Sequence, residues 1–224
     1  MTGNRILDEL PASAQRSLSK SLVSLAAGAE VLTPGERIAQ ALFPTTAVCS
    51  VVIQLDSGDK AETATVGRDG FVGVPLVLGA TVSDAAAIVQ LAGEGYRLAP
   101  KTLFELCKEH DDFRRALFGY SAFRLHIASR TLACNSFHSI VQRMARWLLL
   151  LHDRIGHGEF RLTHESLAAM LAATRPRVSQ AAARLKAEGI VHYTRGVIRI
   201  LDRARLETIA CECYRQTRRL YPVP

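Results

Sequence analysis

The sequence holds no run approaching the ~20 apolar residues that span a bilayer. Its longest candidate, residues 147–151, is closed off by Arg146 and His152. The N-terminus has no basic segment followed by an apolar stretch, so no secretory signal is expected and a cytoplasmic location is. Aromatics are few, at 6%. The five cysteines are an odd number, without the spacing of a disulfide scaffold. Cys211 and Cys213 form a Cys-x-Cys, but zinc needs two further ligands and no second Cys/His pair lies nearby in sequence. The expectation is therefore no metal, with structural or incidental cysteines; a redox role for Cys211 and Cys213 stays open. Signs of catalysis are also missing. No Ser, His or Asp stands in a nucleophile-elbow pattern, and His164-Glu165 is not followed by a second His at metal spacing. No glycine-rich phosphate loop with a lysine occurs. Neither an enzyme nor a bound cofactor is expected.

What is present is a chain of 224 residues, 48% hydrophobic and 22% charged, with ample material for packed cores. Its net charge of +7 is unevenly placed. Residues 1–134 hold 13 Lys and Arg against 14 Asp and Glu, a net of −1. Residues 135–224 hold 15 against 7, a net of +8. A basic excess confined to the C-terminal two-fifths points to a polyanionic partner for that part alone. A uniformly basic enzyme fits poorly, and two parts with different tasks fit well.

Patterning divides the chain further. Residues 6–25 read as one or two short helices, broken near Pro11. Pro34-Gly35 marks a turn. Residues 48–55 are rich in β-branched side chains and read as a buried strand, and Asp56-Ser57-Gly58-Asp59 turns the chain into a returning strand over 61–66. Gly67-Arg68-Asp69-Gly70 turns it again, and residues 71–78 are short and apolar. Short strands follow at 86–91 and 95–98. Closely spaced strands of this kind suggest a sandwich, barrel or roll. From Pro100 the signal becomes helical. Residues 111–134 have no proline and only Gly119, and would form a helix roughly 36 Å long. It carries two apolar stripes, one of Phe113, Leu117, Tyr120, Ile127 and Cys134, the other of Phe118, Ala122, Leu125 and Leu132. Two stripes mean two packing partners: a core helix of a monomer and a subunit interface both remain open. A break at 135–139 precedes a helix with Ile140, Met144, Trp147, Leu148 and Leu151 on one side.

The C-terminal third carries the functional signal. Thr163 stands where a side-chain oxygen caps a helix, and Leu167, Met170 and Leu171 face inward from that helix. Ala172 and Ala173 allow a tight turn. Thr174 is a second capping candidate, and Pro176 falls in the first turn of the next helix, where its missing N–H costs nothing. Val178, Ala181, Ala182 and Leu185 share one face of that helix; Pro176, Gln180 and Ala183 point the other way. Gly189 stops it. A hairpin follows, with Thr194-Arg195-Gly196 at its tip, and Asp202 caps a last helix expected to run through Tyr214. Helix, basic helix, hairpin and helix inside the net +8 region form a winged helix-turn-helix, whose second helix fits the major groove of duplex DNA.

At these residues the chain resembles the catabolite activator protein and FNR (CRP/FNR) superfamily of bacterial transcription regulators. The resemblance is carried by residues 162–171 (Leu-Thr-His-Glu-Ser-Leu-Ala-Ala-Met-Leu), Thr174 to Gln180, Leu185 to Val191 and Arg195 to Asp202. Pro34-Gly35-Glu36 and Gly67-Arg68-Asp69-Gly70-Phe71-Val72-Gly73 support it more loosely. It implies an α+β fold: a cyclic-nucleotide-binding-like β-roll over residues 1–110, a long dimerisation helix over 111–134, and a winged helix-turn-helix over 135–224. It implies a homodimer on double-stranded DNA with a palindromic operator, RNA polymerase as a further partner, and no membrane. The dimer face is assigned to Phe113, Leu117, Tyr120 and Ile127. DNA contacts are assigned to Thr163, Thr174, Arg175, Pro176, Arg177, Ser179, Gln180, Arg184 and Arg195.

Two departures from the family pattern matter. Its members commonly open the recognition helix with Arg-Glu and place an Arg four residues after the Glu. Here Arg175 is kept, but Pro176 replaces the Glu and Gln180 replaces the later Arg. Glu accepts from cytosine, Arg pairs with guanine, and Gln suits adenine, so a changed half-site is expected. The cyclic-nucleotide cassette departs too. Its Gly-Glu position reads Gly73-Val74, its Arg position falls near Ser83-Asp84-Ala85-Ala86, and no Lys or Arg occurs between Arg68 and Arg97. A cyclic phosphate buried without a cation is strongly disfavoured, so no response to cyclic AMP is expected. A cysteine cluster for an iron–sulfur sensor is missing from the N-terminus. Haem, with His110, His126 or His138 as ligand, a redox signal, or no effector at all remain alternatives, as does a protein-interaction module that binds no DNA.

Overall fold

The computed structural model describes residues 1–156, 159–194 and 196–220. Two compact units emerge from the contacts: Met1–Ile53 with Thr63–His126, and Gln54–Glu62 with Ile127–Pro224. The boundary falls inside the long helix, and the tip of one β-hairpin groups with the second unit.

The first unit opens with a 3-10 turn at Leu7–Glu9, helix α1 (Ala12–Ser17) and a second 3-10 turn at Leu18–Ser21. Residues 22–25, expected to continue a helix, form strand β1 (Leu22–Leu25) and pair with β7. The β-rich region follows as β2 (Glu30–Leu32), β3 (Ala41–Pro44), β4 (Val48–Gln54), β5 (Lys60–Val66), helix α2 (Val74–Val77), β6 (Ala86–Leu91) and β7 (Gly93–Leu98). One sheet has the order β1-β7-β3 and the other β2-β6-β4-β5. The expected turn between β4 and β5 is present: Leu55 donates to the Asp59 carbonyl, and Gly58 sits at φ +85°. Residues 74–77, by contrast, wind into α2 after the bridge of Val72 to Leu42, because Gly73 at φ +114° ends the extended run and Pro75 suits a first helical turn.

Helices α3 (Pro100–Glu109) and α4 (Asp111–Phe137) come next. Phe113, Leu117 and Tyr120 of α4 lie in the core of the first unit. Phe43 stacks on Phe71 at 5.3 Å and meets Phe113 at 6.2 Å; Phe71 meets Tyr120 at 5.3 Å. Four aromatics thus share one cluster, where each removes a large apolar area from water. Gly70 is required by it: a Cβ there would stand 2.1 Å from Tyr120 Cζ.

The second unit takes the C-terminal part of α4, then α5 (Ile140–Ile155), β8 (Glu159–Arg161), α6 (His164–Met170), α7 (Arg175–Ala187), β9 (Val191–Thr194), β10 (Val197–Ile200), α8 (Arg203–Ile209) and α9 (Cys213–Leu220). Ser139 starts α5 with a capping box, its hydroxyl accepting from Gln142 N while the Gln142 side chain accepts from Ser139 N. Trp147 of α5 donates Nε1–H to Glu62 Oε1 at 2.8 Å, which satisfies a buried carboxylate. The last helix is two helices, not one. The break at 210–212 leaves α8 and α9 joined through Cys211 and Glu212. Arg203 ties this end together, bonding Asp153 Oδ1 (2.7 Å), Tyr214 Oη (2.6 Å) and His152 Nδ1 (2.6 Å). No helix among the described residues is long and apolar enough to cross a membrane.

Candidate nucleic-acid interface

The helix-turn-helix is built from α6 and α7. Thr163 Oγ1 accepts from Ser166 N at 3.0 Å and caps α6 as its position suggests. The turn passes through Ala172, the sole non-glycine residue at positive φ (+43°) among the described residues. Arg143, buried on α5, donates to the Leu171 carbonyl in that turn. Val178, Ala181, Ala182 and Leu185 are buried on the inner face of α7, as their spacing requires. The three-stranded sheet β8-β10-β9 forms the wing, with Val197 opposite Thr194 and Ile200 opposite Val191. Its third strand, β8, pairs Phe160 with Ile198 and is too short to read from sequence.

The side chains named for DNA contact fall into distinct settings. Thr174, Arg175, Pro176, Arg177 and Gln180 are all exposed at the N-terminal turns of α7. Thr174 occupies the N-cap, but its hydroxyl makes no cap bond. The free N–H groups and positive end of the helix, with two guanidiniums, make this surface suited to phosphate and base edges. Ser179 differs. Its side chain is half-buried, with Oγ 2.8 Å from His164 Nδ1, so it braces α6 against α7 rather than facing outward. Arg184 lies near the C-terminal end and pairs with Glu188 at 3.0 Å. Being exposed, that pair contributes little and yields readily to a phosphate. Arg195 lies outside the described residues.

His164 stacks on Tyr193 of β9 with ring centroids 4.4 Å apart. Burial first, and the nearby Arg175 second, hold its imidazole below the ordinary histidine range. One neutral ring therefore joins α6, α7 and the wing. Sequence reading missed it, because His164 opens α6 while Ser179 is the fifth residue of α7.

The dimer face assigned from sequence is corrected. Phe113, Leu117, Tyr120 and Ile127 are all buried within the single chain. The first three fill the aromatic core, so none can also face a partner. The other stripe is outside: Phe118, Leu125 and Leu132 are 50%, 65% and 71% exposed. They recur every seven residues, and exposed Ala122, Ser129 and Ser136 recur with them, four residues later each time.

No metal was expected, because no second Cys/His pair stands near Cys211 and Cys213 in sequence; the fold brings such a pair to them. Cys134 and His138 stand one turn apart at the end of α4, and α8 and α9 bring Cys211 and Cys213 against them. The four ligand atoms lie within 4.8 Å of one another. The readable signal was Cys134-x3-His138, a helical i, i+4 pair set far in sequence from Cys-x-Cys.

The architecture defines a winged helix-turn-helix that follows, along the chain, an N-terminal domain of antiparallel sheets. Residues 142–209 match the Crp-like helix-turn-helix domain, so this chain carries one. Solved structures share the fold across most of the chain. FixK2 from Bradyrhizobium japonicum is 17% identical, with TM-score 0.70, covering 85% of this chain and 96% of its own. A CRP-family transcriptional regulator from Thermus thermophilus is 21% identical, with TM-score 0.67 and coverage of 84% and 96%. The c-di-GMP responsive global regulator CLP from Xanthomonas campestris is 16% identical, with TM-score 0.68 and coverage of 84% and 97%. No curated protein sequence matches the chain. The fold is that of CRP/FNR regulators, α+β with a cyclic-nucleotide-binding-like domain preceding the helix-turn-helix.

Proposed function

We propose that the protein is a sequence-specific, DNA-binding transcription regulator that acts as a homodimer on a palindromic operator. The observation that carries this is the exposed start of α7, where Thr174, Arg175, Pro176, Arg177 and Gln180 stand together on a Crp-like helix-turn-helix in the net +8 part of the chain. Arg175 reads guanine and Gln180 reads adenine in the major groove. Thr163, Arg177 and Arg195 hold phosphates and set the register. The heptad stripe Phe118, Ala122, Leu125, Ser129, Leu132 and Ser136 supports the dimer, because a 3.5-residue period is that of a two-stranded coiled coil. Protomers joined there by a two-fold axis present two α7 helices to successive major grooves.

The effector is not cyclic AMP in this reading. Val74 and Pro75 begin α2 where an acidic ribose ligand is needed. Ser83 is buried and spends its hydroxyl on the Ala85 carbonyl at 2.7 Å. No cation is supplied between Arg68 and Arg97. Titration of the full chain onto duplex DNA tests both parts. Affinity should fall steeply as salt rises, the logarithmic slope being about −0.9 per neutralised phosphate. Cyclic AMP should leave the curve in place. A salt-independent curve would contradict DNA binding, and a shift with micromolar cyclic AMP would contradict the effector reading.

A further inference from the structure

We propose that Cys134, His138, Cys211 and Cys213 bind one zinc ion in a tetrahedral site with three thiolates and one imidazole. The four donors are set by two separate pieces of chain. Cys134 and His138 lie one helical turn apart and so project from the same side of α4. The break between α8 and α9 supplies the other two. Cys134 Sγ stands 3.6 Å from Cys211 Sγ, and Cys213 Sγ stands 3.8 Å from His138 Nδ1. A tetrahedral ion with Zn–S near 2.3 Å separates its sulfurs by about 3.8 Å. The donors thus already stand near their bound spacing. They converge on a point, which suits one ion and leaves no room for the cage of an iron–sulfur cluster.

The surroundings match a metal site in two further ways. His138 turns Nδ1 to the sulfurs, and its Nε2 lies 3.3 Å from the Glu212 carboxylate. That carboxylate fixes the tautomer with the proton on Nε2 and leaves the Nδ1 lone pair for the ion, the usual outer support of a ligating histidine. Charge also balances. Three thiolates, a neutral imidazole and a divalent ion sum to −1, and buried Arg146 stands beside them. Among the described residues Arg146 bonds Thr131 Oγ1 at 3.0 Å and makes no ion pair with a carboxylate, so the sulfurs are its counter-charge. Arg130 approaches Cys213 from the same helix as Cys134. Cys134, Cys211 and Cys213 are all buried.

Loading releases up to three thiol protons to solvent, and no electron moves. With four protein ligands the ion has no open position, so it holds structure and performs no catalysis. It clamps the α8–α9 junction to the end of α4. The site is independent of whether α7 reads DNA.

The test is metal analysis of the full chain purified without chelator, followed by exchange with cobalt. One zinc per chain is expected. Cobalt should give the intense visible absorption of a tetrahedral thiolate centre, saturating at one equivalent. Cys134→Ser and Cys211→Ser should abolish it, and Cys107→Ser should leave it unchanged. His138→Cys should keep the ion and shift the spectrum towards four sulfurs, which keeps the test open if a serine variant does not fold. A chain that stays substoichiometric in zinc and gives only a weak six-coordinate cobalt spectrum would overturn the proposal. So would a tetrahedral spectrum that survives both serine variants, or a Cys134–Cys211 disulfide in protein prepared without oxygen.

Discussion

At the residue scale the winged helix-turn-helix depends on one ring. His164 accepts or donates at Ser179, stacks on Tyr193, and stays neutral because burial and Arg175 disfavour the imidazolium. Its folded pKa lies below the unfolded value of about 6.5, so the unfolded chain takes up the proton first as pH falls. Stability contributed by this residue is therefore present above that value and is lost as pH drops through it. Denaturant melts of the wild type should weaken between pH 7.5 and 5 by more than melts of His164→Gln. Glutamine keeps a polar partner for Ser179 and cannot titrate. Identical pH dependence in the two proteins would contradict this role. The same scale shows what sequence could not show. The exposure of Arg175, Arg177 and Gln180 was legible because a free helix face is written in the alternation of apolar and polar residues. The bond from Ser179 to His164 was not legible, because a serine on the boundary of two faces gives no sign of its direction until His164 is beside it.

At the scale of elements the long helix is the clearest case. Its length and its two stripes were legible from composition and spacing, since 3.6-residue periodicity needs no tertiary knowledge. Which stripe packs inward was not. Phe113, Leu117 and Tyr120 face inward because Phe43 and Phe71, distant in sequence, complete their cluster. Leu125 lies at the middle of the outer stripe. Leu125→Glu should leave the chain folded, since the side chain is 65% exposed in a single chain. In a two-fold dimer it would bury two facing carboxylates, at a cost of roughly 3–5 kcal/mol. Sedimentation should then report a species near the 24.5 kDa of one chain, and DNA affinity should fall with it. A dimer that persists would remove the heptad stripe from the interface. The α8–α9 break was hidden as well. No proline or glycine marks residues 210–212, and its consequence, the meeting of Cys211 and Cys213 with Cys134, depends on contacts about 77 residues apart.

At the scale of the molecule, charge is the most economical guide. A total of +7 describes nothing, while −1 and +8 separate a near-neutral part from the part that carries the Crp-like helix-turn-helix. The antiparallel sheets of the first unit were readable as many short strands, but β2 and β3 there, and β8 in the second unit, were too short to carry a pattern. The operator follows from the same level. In the proposed dimer, two α7 helices related by a two-fold axis would span half-sites about 10–10.5 base pairs apart, or a multiple of that. Pro176 and Gln180 are proposed to alter the readout within each half-site. Selection of binding sites from random duplex DNA by the full chain is the most direct measurement. The expected result is enrichment of a two-fold symmetric motif whose half-sites combine guanine, read by Arg175, with adenine, read by Gln180. Enrichment of no motif, of an asymmetric one, or of the half-site common to relatives with the Arg-Glu opening would contradict it.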